Sequence, residues 1–269
     1  MSGTKQTRVH EWLLRENVAT LEEVTIFLER INNAYSNKYT YDKVIAPLMK
    51  KGKVDRIRRA LYTAFDPVTG NPVADPYIVA SKIRDEYYLG YHTALEYYGA
   101  AYSAKNEIHL CVKPRKKFRR FDYNGITYTP IYTGDTETNI EVVNYVGHHI
   151  RVCGKERLLI ECVDSPQYVG GWEQILKSLQ DLGGINYELI PTPLEYIDIQ
   201  ILTRKTGYIL QLLNENSIYH EHLPEKILNQ ISEKVEGQTE YLISDKKGNL
   251  NETWKLYIPD NFEEKLRGI

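Results

Sequence analysis

Apolar residues in the first 66 positions recur three times at helical spacing and then switch to alternation. Val9, Trp12 and Leu13 mark one face of a helix over about Thr7–Glu16. Thr20 and Glu23 form a capping box at the head of a second helix, whose apolar stripe is Leu21, Val24, Leu28 and Ile31. The polar stretch Asn32–Tyr39 separates it from a third helix that opens at Thr40. There Tyr41, Val44, Ile45, Leu48 and Met49 fall at i, i+3, i+4, i+7 and i+8. Pro47 removes a backbone donor and predicts a kink after Ala46. Lys50-Lys51-Gly52 closes the helix, with cations at its C-terminal carbonyls and a left-handed glycine cap. Val54 and Ile57 then predict one strand and Leu61, Thr63 and Phe65 a second, with Arg58-Arg59-Ala60 as the turn. Three helices and a basic hairpin are the order of a winged helix-turn-helix.

Asp66–Asp75 (DPVTGNPVAD) has no apolar period and clusters proline and glycine, which places a linker at 67–75 between domains 1–66 and 76–269. The second segment alternates. Helices are predicted over Pro76–Asp85, Tyr91–Tyr98, Lys155–Val163, Trp172–Leu182, Pro193–Leu213 (with Thr192 as cap) and Pro224–Val235. Strands are predicted over Ile108–Val112, Ile126–Tyr132, His149–Val152, Glu240–Ile243 and Thr253–Ile258, the last two flanking a turn at Asp245–Asn249. The fold class is α+β, an N-terminal winged helix-turn-helix followed by a mixed α/β domain.

Charge sharpens this picture. The chain of 269 residues has a formal net charge of −2. Residues 1–66 hold 12 Lys/Arg against 8 Asp/Glu, and the remainder holds 22 against 28. A basic head on an acidic body is the asymmetry expected when one module meets phosphate and the other does not. Residues 38–59 alone hold eight Lys/Arg and two Asp/Glu. The residues expected to contact DNA are Lys38, Tyr39, Thr40, Lys43 and Lys50 on or beside the third helix, and Lys53, Arg56, Arg58 and Arg59 on the hairpin. A solvated basic face on a structural domain, or a protein-contact surface, is the competing reading. A second basic run, Lys113–Arg120 (KPRKKFRR), reads equally as a solvated connecting turn or as a second nucleic-acid patch.

Chemistry is sparse. Cys111, Cys153 and Cys162 fit neither zinc-ligand spacing nor a disulfide framework, so a reducing, cytoplasmic setting is expected. No apolar run approaches membrane-spanning length, and Met1–His10 does not read as a signal peptide. His148-His149 on a strand point to opposite faces, and His220 and His222 could share one, without a carboxylate or cysteine at ligand spacing. Glu156, Glu161 and Asp164 fall on one predicted helix and Asp135, Glu137 and Glu141 in a loop-like stretch, so neither set forms a nuclease metal site. A metal-dependent nuclease is the rival from another class. The expectation is a protein without catalytic residues, metal or cofactor.

Four stretches in order resemble the AbiEi-type antitoxins of abortive-infection systems: Leu48–Tyr62, Tyr91–Gly99, Lys155–Gly171 and Arg204–Leu213. Ala60 stands where the family usually has glycine, and Thr206 departs from the family's Arg-Leu-Gly-Tyr. The resemblance implies a winged-helix domain that represses its own operon by binding double-stranded promoter DNA. It also implies a C-terminal domain that counteracts a nucleotidyltransferase-like toxin. A stand-alone regulator is the near alternative. Within the third stretch and just after it, Arg157, Tyr168 and Trp172 are the candidates for function in the second domain, with core packing or a structural ion pair as the plainer reading. A small ligand for that domain is neither supported nor excluded.

Overall fold

The computed structural model describes residues 4–31, 35–197, 199–244 and 246–264. The chain begins with helix α1 (Lys5–Glu16), a short strand β1 (Val18–Thr20) and helix α2 (Leu21–Ile31). The capping box forms as expected: the Thr20 N–H donates to Glu23 Oε2 at 2.8 Å and the Glu23 N–H to Thr20 Oγ1 at 3.2 Å. The third helical stretch comprises α3 (Asn37–Thr40), a π-helical turn (Tyr41–Ile45) and α4 (Ala46–Lys50). It starts earlier than the apolar pattern indicated, because the Ser36 hydroxyl accepts from the Tyr39 N–H and caps it. Asn32–Ala34, in the stretch expected to link the two helices, lie outside the described residues. The distortion expected of Pro47 takes the form of the π-turn that precedes it, where the Ala46 N–H reaches back to the Tyr41 carbonyl. Proline leaves the Lys43 carbonyl without its helical donor, and the Gln6 side chain supplies one at 3.2 Å.

Strands β2 (Val54–Arg58) and β3 (Leu61–Ala64) form the hairpin, and β1 completes a three-stranded sheet in the order β1-β3-β2. The turn is shorter than expected. Arg58 pairs with Leu61, leaving only Arg59 and Ala60 in the turn, and a bulge separates Arg56 from Arg58. Residues 67–75, expected as a linker, are held by hydrogen bonds. Asp66 caps its own turn through Val68 and Thr69, Val73 donates to Ala64, and the Asp75 N–H donates to Asn17 Oδ1 at 2.5 Å.

The remainder contains α5 (Pro76–Ser81), β4 (Tyr87–Leu89), α6 (Tyr91–Tyr97), β5 (Glu107–Val112), β6 (Phe121–Tyr123), β7 (Ile126–Tyr132), β8 (Ile140–Tyr145) and β9 (His148–Cys153). The strands form one mixed sheet in the order β6-β7-β5-β4-β9-β8. Glu141, expected in a loop, therefore lies on an edge strand. Helices α7 (Lys155–Asp164) and α8 (Trp172–Gln180) follow, then α9 (Pro191–Ile197) and α10 (Gln200–Asn216). The single helix expected from Pro193 to Leu213 is thus two, with Thr192 inside the first. Ile199 adopts extended backbone, and its carbonyl starts α10 by accepting from Leu202 and Thr203. Neither glycine nor proline marks this break, so the apolar period ran through it; Asp198 lies outside the described residues. Helix α11 (Glu225–Ser232) and a small sheet of β10 (Glu240–Tyr241), β11 (Gly248–Asn251) and β12 (Leu256–Pro259) end the chain. Gly248 and Asn249, expected in a turn, belong to β11; Asp245 lies outside the described residues.

Two apolar clusters result. Val9, Leu13, Val24, Leu28, Val44, Ile45 and Leu48 gather with Val54, Tyr62 and Ala64. Val18, Ile57 and Leu61, from the same small sheet, instead join the large cluster around the six-stranded sheet. Helix α7 is buried on every side, Glu156 through Val163. No helix among the described residues is long and apolar enough to cross a membrane.

Ala60 occupies the left-handed region with φ +63°, which costs a Cβ-bearing residue about 1–2 kcal/mol. Part of that is returned as the greater chain entropy of glycine. Ala60→Gly is therefore expected to stabilise the protein by about 0.5–1 kcal/mol, read as a raised urea midpoint at unchanged slope.

Candidate functional site

The basic face of the head is assembled from α3, its π-turn, α4 and the hairpin. Lys38, Tyr39, Lys43, Lys50, Lys53, Arg56 and Arg59 are exposed. Among the described residues, none of these cations forms an ion pair with a carboxylate. The nearby acid Asp55 is engaged: Oδ1 accepts from the Arg56 N–H, and Oδ2 accepts from the Tyr123 hydroxyl at 3.0 Å. Asp42 is the exposed carboxylate on this face.

Two residues expected here are placed otherwise. Thr40 is fully buried and accepts a hydrogen bond from Thr25 Oγ1 at 3.0 Å, so it joins α2 to α3 and cannot reach a ligand. Arg58 is half-buried, its guanidinium 4.9 Å from the Phe121 ring centre and 5.6 Å from that of Phe118. Burial, and secondarily Arg84, draw its pKa down. It packs the hairpin against the body and does not project from the tip.

The structure adds a cation absent from the sequence reading. Lys5 lies over the Tyr35 ring at 4.4 Å, and Tyr35 stacks on Tyr39 at 4.7 Å. Nothing in the spacing signals this, because α1 meets the Tyr35 segment only through the tertiary fold. Lys51 is also taken up locally, donating to Gln6 Oε1 at 2.8 Å.

The run Lys113–Arg120 connects β5 to β6, and its six cations meet two carboxylates among the described residues, Glu86 and Glu107, so it stays strongly positive. Glu86 receives Lys113, Arg115 and Lys116 at 3.2, 2.7 and 3.6 Å. Arg115 first and Lys113 next hold the Glu86 carboxyl down at about 2. Phe118 is buried, and Arg115, Lys117, Arg119 and Arg120 are exposed.

In the body, the two acidic sets of the sequence meet at Arg157. Its Nε donates to Glu161 Oε1 at 2.8 Å. Its Nη1 donates to Asp135 Oδ2 at 3.1 Å and the Thr138 carbonyl at 2.7 Å. Its Nη2 donates to the Tyr88 hydroxyl and the Asp135 carbonyl, both at 2.9 Å. All five donors are spent, so Arg157 is a structural clamp. Burial pulls its pKa down, and Glu161, with Tyr88 and Cys153 adding to it, more than reverses this. Burial pushes the Glu161 carboxyl up, with Arg157 offsetting part of the rise. Tyr168 is half-buried beside Tyr91 and His109, at ring separations of 4.9 and 5.7 Å. Trp172 meets Phe262 edge-on at 5.5 Å and serves packing. His220 and His222 do not share a face: His220 is buried between Tyr187 and the Leu179 carbonyl, while His222 is exposed.

Neither a family model nor a curated protein matches the sequence. The fold is similar to the crystal structure of the Rv2827c protein from Mycobacterium tuberculosis. The TM-score is 0.67 at 15% identity, over 100% of this chain and 96% of that one. The two share an architecture from end to end, and at that identity the likeness extends to the fold alone.

Removing one partner of a buried ion pair strands the other charge. Arg157→Met is expected to cost about 3–5 kcal/mol of unfolding free energy, and adding Glu161→Leu to recover much of it; urea unfolding of both variants checks this. A pH dependence follows from His109, whose pKa burial lowers from its ordinary 6.5 to about 4. Between these values the unfolded chain binds more protons than the folded one, so stability falls as pH drops below 6.5. Urea midpoints should therefore decline over that interval, less steeply in His109→Gln.

Proposed function

We propose that this protein is a DNA-binding transcriptional autoregulator whose first 66 residues act as a winged helix-turn-helix on promoter DNA. The observation that carries this is the row of exposed cations, Lys38, Lys43, Lys50, Lys53, Arg56 and Arg59, without carboxylate partners among the described residues. Cations left unneutralised along one helix and one hairpin suit a phosphate backbone, which supplies the partners at the moment of binding. Base contacts fall to α3 and the π-turn, ahead of Pro47, where Lys38, Tyr39 and Lys43 are exposed. Arg59, at the tip of the hairpin, suits phosphate or a narrow minor groove.

The ordered resemblance to AbiEi-type antitoxins supports the wider reading. In it the protein represses its own operon and counteracts a nucleotidyltransferase-like toxin, and the body from residue 76 carries the antitoxin role. The body acts in this reading without catalysis. Glu161 and Asp135, the carboxylates a nuclease would want free, are both engaged by Arg157.

Fluorescence anisotropy of the protein on its own promoter duplex and on a scrambled duplex, across a salt series, tests the DNA-binding role. Promoter preference is expected, with log affinity falling against log salt by about 0.9 per phosphate contacted. The Lys50→Ala, Arg59→Ala pair should lower that slope by about two contacts' worth. Arg58→Ala should leave it unchanged, since that guanidinium faces Phe118 and Phe121. Absence of binding to either duplex at low salt would overturn the reading. In cells carrying the toxin, the Lys50, Arg59 variant should still protect growth while failing to repress.

A further inference from the structure

The basic run between β5 and β6 belongs to the body but lies against the head. Arg58 of the hairpin rests over Phe118 and Phe121, and the Tyr123 hydroxyl of β6 donates to Asp55 of β2. Arg59, the exposed cation of the hairpin turn, directly follows Arg58, so the run and the tip of the hairpin are neighbours. Lys53 and Arg56 lead along β2 to the same corner.

The charge of the run is available. Lys117 and Arg119 are exposed and form no ion pair with a carboxylate among the described residues. Arg115 and Arg120 face Glu86 and Glu107, yet their side chains stay 68% and 65% exposed. Pairs so open to water are weak, and each cation can take a second anion. Asp85 and Asp122 are exposed at the borders of the run, and neither pairs with one of its cations among the described residues; Asp122 accepts from Thr127 Oγ1 at 2.5 Å. The turn itself is held by a further cation. Arg84 donates from Nε to the Lys116 carbonyl at 2.6 Å and from Nη2 to the Lys117 carbonyl at 2.9 Å. Its guanidinium lies 5.6 Å from the Phe118 ring centre, so Arg58 and Arg84 share one ring. After burial, the charge of Arg84 is what draws the Arg58 pKa down. The fold thus gathers like charge at this corner, and an anion relieves that repulsion.

The aromatic rings of the corner are already engaged. Phe118 is buried, and Phe121 has Tyr128 stacked on it at 4.9 Å and the Arg58 guanidinium at the same distance. Single-stranded nucleic acid is held largely by stacking of its bases on such rings. The corner offers cations without a stacking platform, which suits a duplex, whose bases are turned inward and whose phosphates face the protein. A duplex carries a charge about every 1.7 Å of its axis. One that lies along the hairpin therefore presents further phosphates to the neighbouring run.

We propose that Arg115, Lys117, Arg119 and Arg120 contact phosphates of duplex DNA beside those met by the hairpin, so that the body lengthens the footprint of the head without reading bases. This rests on the DNA-binding role of the head. The test is fluorescence anisotropy of the full chain across a salt series, on the promoter duplex, a scrambled duplex and one promoter strand alone. A Lys117→Gln, Arg119→Gln variant is compared with the parent and with a Lys246→Gln, Lys247→Gln variant, which removes equal charge from an exposed segment before β11. The first variant should lower the slope of log affinity against log salt by about 1.8, two phosphates at about 0.9 each. It should weaken both duplexes by the same factor, since phosphate contacts carry no sequence information. Its urea midpoint should match the parent's, because neither side chain has an ion pair to lose. The Lys246, Lys247 variant should keep the parent's slope. A parent that binds neither duplex at low salt overturns the DNA-binding role and this proposal together. A parent that binds, with the slope unchanged in the Lys117, Arg119 variant, overturns this proposal alone. So does an equal fall in slope for the Lys246, Lys247 variant, a loss confined to the promoter duplex, a slope change accompanied by a lowered urea midpoint, or a single strand bound as tightly as the duplex.

Discussion

Strand β3 is buried at all four of its residues, and the arrangement of the molecule depends on it. Tyr62 and Ala64 complete the small apolar cluster of the N-terminal helices, while Leu61, with Ile57 and Val18, packs into the large cluster of the body. A two-stranded hairpin is marginal by itself in water. Pairing with β1 and burial on both sides supply what it lacks. The polar contacts across the same seam agree with this: Asp75 accepts from Tyr145, Asp55 accepts from Tyr123, and Lys82 pairs with Glu23. The cations of the hairpin are therefore oriented by the body as well as by their own helices, and Arg58 is spent on that orientation.

Helix α7 plays the corresponding part inside the body. A helix buried on every side must satisfy any polar side chain it carries, and this one carries Glu156, Arg157 and Glu161. Glu156 accepts from the Asn186 N–H and the Asn139 side chain. Arg157 gathers Tyr88, Asp135, Thr138 and Glu161. The network joins β4, the turn after β7 and α7 through directional bonds, which apolar packing alone would not supply.

Much of the head was legible because its signals are local. The capping box at Thr20 and Glu23, the apolar stripe of α2 and the lysine-glycine end of α4 each depend on residues within one or two turns. The body was legible where an element is long or strongly patterned, as at Ile126–Tyr132 and Lys155–Asp164. The short strands Val18–Thr20, Tyr87–Leu89 and Phe121–Tyr123 were not, because three residues carry no period. The break between α9 and α10 has no glycine or proline to announce it.

Among the candidate site residues the division is the same. The sequence by itself determined that positive charge concentrates in residues 38–59, since that is a property of composition along the chain. It also determined that helical spacing sends Lys38, Lys43 and Lys50 away from the apolar stripe. Only the tertiary structure decided that Thr40 is enclosed, that Arg58 turns to Phe118 and Phe121, and that Asp135 and Glu161 converge on one arginine. The physical reason is range. Amphipathic period and capping act between residues a few positions apart, whereas burial and ion pairing depend on what distant segments bring alongside.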